Sequence, residues 1–358
     1  MRIGIDAREL AGHATGAGRY LAGLLREWAR DERAQRHEFV LYAAEPLAMT
    51  LDARRFPTRV VPGTPGTWWE QVQLPAIAAR DHVEVWFSPA YSIPLRLKVP
   101  RVVAIHDVSF VAHPEWFGAR EGIRRRWLCR AAVKRAAAII TISEFSRREI
   151  SERLGVPGER IHVIPPGIER ASHQPPASSH LRVLFAGSIF NRRHVPDLIR
   201  AFAPIARAHA GASLAIVGDN RSVPREDVRG AIAAEGLQAQ VVWHEYVTDD
   251  QLRELYAGAR AFAFLSEYEG LGLTPLEALA AGVPAVLLDT PVARESCADA
   301  ALYVPPNDLG ATTRALETAL FDETARARLL RAAPAALSKY KWPKAASDTL
   351  AVLERCTS

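Results

Sequence analysis

Short apolar runs alternate along the whole chain with segments in which apolar positions recur every three or four residues. In the first half, RIGID is followed by a glycine-bearing loop and a helical pattern from about Gly18 to Arg30. FVLYAA from Phe39, VEVWFSP from Val83 and RVVAIHD from Arg101 come next, then a basic helical stretch over Gly118 to Ala137, AIITIS from Ala138 and a helix capped by Ser143. Strand and helix in steady alternation predict a parallel α/β sheet. After residue 180 the rhythm restarts with LRVLFAG, ASLAIVGD, QVVWHEYV, ARAFAFL, GVPAVLLD and ALYVPP. Runs such as LAIVG and AVLLD lack polar alternation, which is how strands covered by helices on both faces read.

Between the two series, ERASHQPPASSH has no period and is rich in Pro and Ser, so a linker is expected at 173–180. It separates a doubly wound domain over 1–172 from a second over 181–340, with a last helix in 341–358. Two such domains facing an interdomain cleft would turn the carboxyl ends of their strands toward a shared ligand site.

Composition narrows the setting. A chain of 358 residues with 49% hydrophobic and 24% charged residues has ample core-forming material and is not of the disordered class. Cys129, Cys297 and Cys356 are odd in number and far apart, unlike a disulfide framework or a paired-thiolate zinc site, so a reducing cytoplasm is expected. MRIGIDAREL has no secretory pattern, and no run of about 18 apolar residues predicts a spanning helix. The net charge of +5 favours anionic partners, whether sugar nucleotides, phospholipid headgroups or nucleic acid, and chooses none of them.

The most informative passage is AFLSEYEGLGLTPLEALAAGVPAVLLD, a strand, a glycine turn, a helix and a strand. Thr274, Pro275 and Glu277 have the spacing of an N-cap hydroxyl, an N1 proline and an N3 glutamate, a capping box. The same helix start offers free N–H groups and a positive dipole end to a diphosphate, and Gly270 and Gly272 permit close backbone approach. The pattern leaves both roles open for Glu277.

Glu269 and Glu277, seven residues between them, within Gly270-Leu271-Gly272-Leu273-Thr274 and LEALAAGVPAV, resemble glycosyltransferase family 4. The resemblance implies the GT-B architecture, two Rossmann-like domains, and transfer with retention of anomeric configuration. It implies that Glu269 lies beside the donor sugar and that Glu277 binds the nucleotide ribose. Leu271 stands where the family commonly has phenylalanine. SIFNRRHVPDLIRAF is similar to the family's G-x4-R-K pattern counted from Gly187, with Arg193 where lysine is usual. Guanidinium groups there would stabilise charge building on a departing diphosphate, and the pattern leaves open which of Arg192 and Arg193 makes the principal contact.

In the first domain, Gly16 and Gly18 open the first helix, but Leu21 stands where a dinucleotide fingerprint needs its third glycine, which disfavours an NAD enzyme. The family has a similar first loop that reaches donor phosphates or acceptor; an ordinary helix-start turn is the competing reading. His106-Asp107 closes an apolar strand at the edge where such sheets bind ligands. VVAIHDVSF resembles the family's His-Asp-x-Ser/Thr-Phe motif, which implies that His106 contacts the donor sugar near its reacting end. His106 and Glu269 are thus the expected catalytic positioning groups.

No metal-binding pattern stands out, and the resemblance implies metal-independent transfer with no cofactor beyond the nucleotide-sugar substrate. Trp116, Phe117 and Trp127, set among Arg120, Arg124, Arg125, Arg126, Arg130, Lys134 and Arg135, suggest either a solvated helix or peripheral attachment to an anionic membrane. The last helix, around Trp342 to Cys356, is similar to the family's terminal helix that returns to the first domain.

The expected reaction is transfer of a hexosyl group, mannosyl or glucosyl, to a hydroxyl of a glycan or lipid-linked acceptor. Synthesis of cell-surface polysaccharide, lipopolysaccharide or glycolipid at the inner face of the membrane is the expected setting. Rivals are another GT-B enzyme, such as a sugar-nucleotide epimerase or phosphorylase, and a basic nucleic-acid-binding protein, although no nucleic-acid-binding module is recognisable. Tyr246 to Asp249 are candidates for base recognition, and Trp68 and Trp69 for the acceptor.

Overall fold

The computed structural model describes residues 1–12, 16–64, 66–169 and 180–357. The linker expected at 173–180 lies outside the described residues except for His180, as does Thr15 in the first glycine segment. The chain divides into two compact units, Met1–Gly167 with Tyr340–Ser358, and Ile168–Lys339.

In the first unit the elements run β1 (Arg2–Asp6), α1 (Gly16–Arg30), β2 (Glu38–Ala43), β3 (Thr58–Val60), α2 (Leu74–Arg80), β4 (Val85–Ser88) and β5 (Arg101–Ala104). They continue with α3 (Ser109–Ala112), α4 (Ala119–Arg135), β6 (Ala138–Thr141), α5 (Glu144–Leu154) and β7 (Ile161–Val163). The second unit holds β8 (Leu181–Ala186), α6 (Val195–Ala208), β9 (Ala212–Val217), α7 (Val228–Ala234), β10 (Val241–His244), α8 (Asp249–Ala257) and β11 (Ala261–Phe264). It closes with α9 (Leu273–Ala280), β12 (Ala285–Leu288), α10 (Pro291–Cys297), β13 (Ala301–Val304), α11 (Leu309–Phe321) and α12 (Glu323–Leu337), after which α13 (Trp342–Arg355) belongs to the first unit.

Each unit has a parallel sheet, β3-β2-β1-β4-β5-β6-β7 in the first and β10-β9-β8-β11-β12-β13 in the second. Every apolar run read from the sequence is a strand. Beyond those runs lie β3, whose Thr58, Arg59 and Val60 are all exposed, and the three-residue β7, in which only Ile161 is buried, so no apolar pattern marks either. In both sheets the strand order reverses once, between β1 and β4 and between β8 and β11. Loops leaving the carboxyl ends of the two central strands diverge there and leave a crevice, the usual ligand position in open α/β sheets.

Burial explains the runs. Ile3, Ile5, Leu41, Val85, Phe87 and Val102 fill one face of the first sheet with Leu21, Leu24, Leu25 and Trp28 of α1. Leu350 and Leu353 of α13 join that cluster, and Trp28 Nε1 donates to the Ala346 carbonyl at 2.9 Å. Val103, Ile105 and Ile139 pack on the other face with Cys129, Ala132 and Val133 of α4. Ser143 caps α5 as expected, its side chain accepting from the Ser146 N–H.

Candidate active site

In the second unit the reversal lies between β8 and β11, so the loops after these strands face each other. The first carries Arg192 and Arg193, the second Glu269. Arg193 donates from Nε to Glu269 Oε1 at 2.8 Å, and its Nη2 lies 2.7 Å from the same oxygen. Ser266 Oγ donates to that oxygen at 2.8 Å, so one carboxylate oxygen is held from two sides. Arg193 Nη1 donates to the Ser188 carbonyl at 2.7 Å, and the guanidinium lies 4.8 Å from the centre of the Phe264 ring. Gly187 makes this possible, because a Cβ there would come within 2.9 Å of Arg193 Nη1.

Arg192 is turned differently. Its Nε donates to the Tyr268 carbonyl at 3.3 Å, its own carbonyl accepts from the Glu267 N–H at 2.9 Å, and its guanidinium lies 4.2 Å from the Phe190 ring centre. Of the two arginines, Arg193 is the one paired with Glu269. The sequence left that choice open, and Ser266 went unnoticed in it; its only trace is a hydroxyl three residues before Glu269.

The capping box does not form. Helix α9 begins at Leu273 with Gly272 as its N-cap residue in the left-handed region, φ 85° and ψ 63°, and no side chain caps it. A glycine free to take positive φ turns the chain into the helix two residues earlier than a Thr274 cap would, placing Thr274 and Pro275 inside the first turn. Proline fits there because the first N–H groups of a helix have no intrahelical acceptor. Glu277 is therefore a side chain of the second turn, and its Oε2 accepts from the Tyr256 hydroxyl at 3.3 Å. The helix start is left without a side-chain acceptor, which suits it to an anion.

A shallow recess opens beside this helix start, lined by Ser266, Glu269, Leu271, Gly272, Pro275 and Thr290 among others. Glu269, Gly270, Leu271, Gly272, Leu273 and Thr274 thus form one turn running from the ion pair into α9. Tyr246 is 67% exposed, and Thr248 and Gln251 build a capping box at the start of α8.

In the first unit, His106 follows β5. Its ring packs edge-on against Tyr20 of α1 with centroids 4.7 Å apart. Burial pushes the imidazole down to about 4, with the neighbouring Asp107 charge pulling the other way, so it is neutral near pH 7. Its Nε2 is buried and has no partner among the described residues. Asp107 is committed to Ser109, accepting from its N–H at 2.8 Å and its hydroxyl at 2.6 Å.

Helix α1 starts at Gly16, two residues before the sequence placed it, so Gly16 and Gly18 belong to its first turn. Gly16 is exposed, and a Cβ there would touch nothing within 4 Å. Trp69 is fully buried with Nε1 donating to the Val61 carbonyl, a core residue, whereas Trp68 is 70% exposed.

At the reversal of the first sheet lies a cluster that the apolar rhythm conceals. Arg8 Nη2 bonds both Asp6 Oδ2 and Glu70 Oε1 at 2.6 Å, and Ser92 Oγ donates to Glu70 Oε1 at 2.6 Å. Asp6 and Glu70 are 2% and 1% exposed, and burial raises the Asp6 carboxyl against the pull of Arg8. An aspartate closing the apolar strand RIGID was its one legible signal.

Among the described residues no group of three or more His, Cys, Asp or Glu side chains is placed to hold a metal ion, and no helix is long and apolar enough to cross a membrane.

Comparison with known proteins covers both units. Residues 14–172 match the family model described as Glycosyltransferase Family 4, and residues 169–336 match Glycosyl transferases group 1. The chain is 26% identical over 291 residues to O-antigen chain mannosyltransferase B of Escherichia coli, covering 77% of this chain and 75% of that one. Sucrose-phosphate synthase of Thermosynechococcus elongatus superposes with a TM-score of 0.80 at 16% identity, over 99% of this chain and 98% of that one. HepE of Anabaena, solved in complex with UDP-glucose, superposes with a TM-score of 0.76 at 17% identity over 99% of each chain. At such identities the superpositions speak to the fold, two Rossmann-like units of GT-B type.

Proposed function

We propose a donor class, an acceptor class and a stereochemical course for a chain that belongs to glycosyltransferase family 4 and is a glycosyltransferase. It transfers a hexosyl group, mannosyl or glucosyl, from a nucleoside-diphosphate sugar to a hydroxyl of a glycan or lipid-linked acceptor, with retention. The product belongs to cell-surface polysaccharide or glycolipid synthesis, a setting supported by the O-antigen mannosyltransferase among its relatives.

The observation that carries the donor assignment is the Arg193–Glu269 pair beside the uncapped start of α9. The diphosphate meets the α9 N–H groups and the guanidinium of Arg193, Glu277 takes the ribose hydroxyls, and Glu269 takes the sugar. As the bond from C1 to the phosphate oxygen breaks, negative charge grows on the diphosphate, where Arg193 stabilises it more in the transition state than in the ground state. The acceptor oxygen bonds to C1 on the face the phosphate leaves, and its proton passes to the departing phosphate oxygen. His106, neutral at pH 7, orients the sugar as a hydrogen-bonding group rather than as a cation. The reaction draws on no metal ion and no cofactor besides the donor.

The enzyme meets its acceptor at the inner face of an anionic membrane through α4. Arg120, Ile123, Trp127, Arg130 and Lys134 fall on one exposed stripe of that helix, with Ile123 61% and Trp127 58% exposed. Apolar side chains flanked by cations on a solvent face suit an interface of headgroups and acyl chains.

A thermal-shift screen of UDP- and GDP-linked hexoses, followed by transfer of labelled sugar to a lipid-linked or oligosaccharide acceptor, tests this function. Stabilisation by one donor and a labelled glycoside product are expected. Epimerised donor without transfer, or sugar phosphate released by phosphorolysis, would replace it with another GT-B activity.

A further inference from the structure

We propose that His194 is a positioning residue of the donor site, an imidazolium tether that holds the loop of Arg192 and Arg193 against the loop of Glu269. The inference rests on the donor site proposed above. His194 lies between the 3₁₀ turn Asn191–Arg193 and α6, with φ 49° and ψ 42°. Left-handed backbone at a residue other than glycine is uncommon and persists where its surroundings over-determine it.

Two sets of bonds do so here. His194 Nε2 lies 2.8 Å from Glu267 Oε1 in the opposite loop, and Nδ1 lies 3.2 Å from Asp197 Oδ2 on α6. Ionised carboxylates only accept, so the ring bonds both at once only with both nitrogens protonated. The tether ends two residues from Glu269, and Glu267 is held a second time, its N–H donating to the Arg192 carbonyl. At the other end of the turn, Asn191 accepts from the Val223 N–H at 2.7 Å and donates to the Pro224 carbonyl at 3.0 Å. The two arginines are thus suspended between an amide clasp and an imidazolium bridge. Breaking the bridge frees one end of the turn, and Arg193 then meets a diphosphate less well prepared.

Other charged groups bear on this ring. Asp197 and Arg200 on α6 pair with each other, and Glu226 interacts with His194 from the loop after β9. Glu267 faces it from the loop after β11, and Asp308 at the start of α11 lines a small recess together with His194 and Asp197. Two further carboxylates, Glu226 and Asp308, and one arginine thus lie around the bridged ring.

Asparagine is the discriminating replacement, because it tolerates the left-handed backbone yet is neutral and too short to span both carboxylates. Hydrogen–deuterium exchange of the full chain, wild type against His194→Asn, reads the tether without any ligand. Segments 188–194 and 265–272 should exchange about fivefold faster in the variant. Calorimetric titration with UDP and GDP reads the consequence: whichever the wild type binds should bind the variant about fivefold more weakly at pH 6.

Equal exchange in both proteins overturns the proposal, and so does unchanged nucleotide affinity with altered exchange, which would leave His194 a structural residue. Exchange as expected in a wild type that binds neither nucleotide refutes the donor site itself, and with it the positioning role.

Discussion

Arg193 and Glu269 share one oxygen: Nε donates to Oε1 at 2.8 Å, Nη2 lies 2.7 Å from it, and the pair is 12% and 18% exposed. An arginine held this way is aimed before any ligand arrives, so little reorganisation accompanies diphosphate binding. Glu269→Gln should lower kcat/KM by roughly 10² to 10³ while leaving nucleotide affinity within a few fold. Arg193→Ala should weaken both, and Arg193→Lys should fall between, keeping the charge but not the fork. Steady-state kinetics and nucleotide titration on the three variants check this; full activity in Glu269→Gln would remove the carboxylate from the reaction.

Glu277 is not the third helical residue of a capping box, because α9 starts from Gly272 rather than Thr274. Its replacement by alanine should lower stability by at least the bond from Tyr256, about 1 kcal/mol for each hydrogen bond lost, and weaken nucleotide binding about tenfold. Tyr256→Phe should reproduce the small stability loss with a lesser effect on binding. Thermal unfolding paired with nucleotide titration separates the two; a large stability loss with unchanged affinity would return Glu277 to a structural role.

These residues show what the sequence made legible. Strand rhythm reported both sheets because burial on two faces leaves continuous apolar runs, and reversal of strand order then brings the Arg193 and Glu269 loops together although 76 residues separate them. The start of α9 differs from the expected one because Thr274-Pro275 is a sound cap pattern; local propensity cannot tell which of two starts, two residues apart, a preceding turn selects. Asp6, Arg8 and Glu70 stayed hidden for another reason. Their burial is offset by each other, across 62 residues between Arg8 and Glu70, and no local period records such a partnership. The same holds for His194 and Glu267, 73 residues apart.

His106 has a folded-state value of about 4 against an ordinary 6.5, depressed by burial. A depressed base binds fewer protons folded than unfolded, so its contribution to stability is intact above pH 6.5 and is lost as pH falls toward 4. Relative to His106→Gln, the wild type should lose up to roughly 3 kcal/mol across that window. Urea denaturation of both proteins between pH 7 and pH 4 measures the difference; parallel curves would mean that the ring is already charged or exposed. From pH 6 to 8 the His106 ring should contribute no inflection to kcat.

Helix α4 carries seven cations against one acid. Vesicles containing phosphatidylglycerol should co-sediment the protein while phosphatidylcholine vesicles do not, and raised salt should release it. Arg120→Glu with Arg130→Glu should abolish binding, since each surface cation contributes about 1 kcal/mol, and Trp127→Ala should weaken it at all salt concentrations. Binding indifferent to lipid charge and to these changes would make α4 an ordinary solvated helix.

The central claim is that the donor site around Arg193 and Glu269 performs same-face transfer. Its most direct test is the anomeric configuration of the first-formed product, read by NMR during transfer from the nucleotide sugar that the wild type binds. A glycoside with the donor's configuration is the predicted result, and a product of opposite configuration would contradict the account.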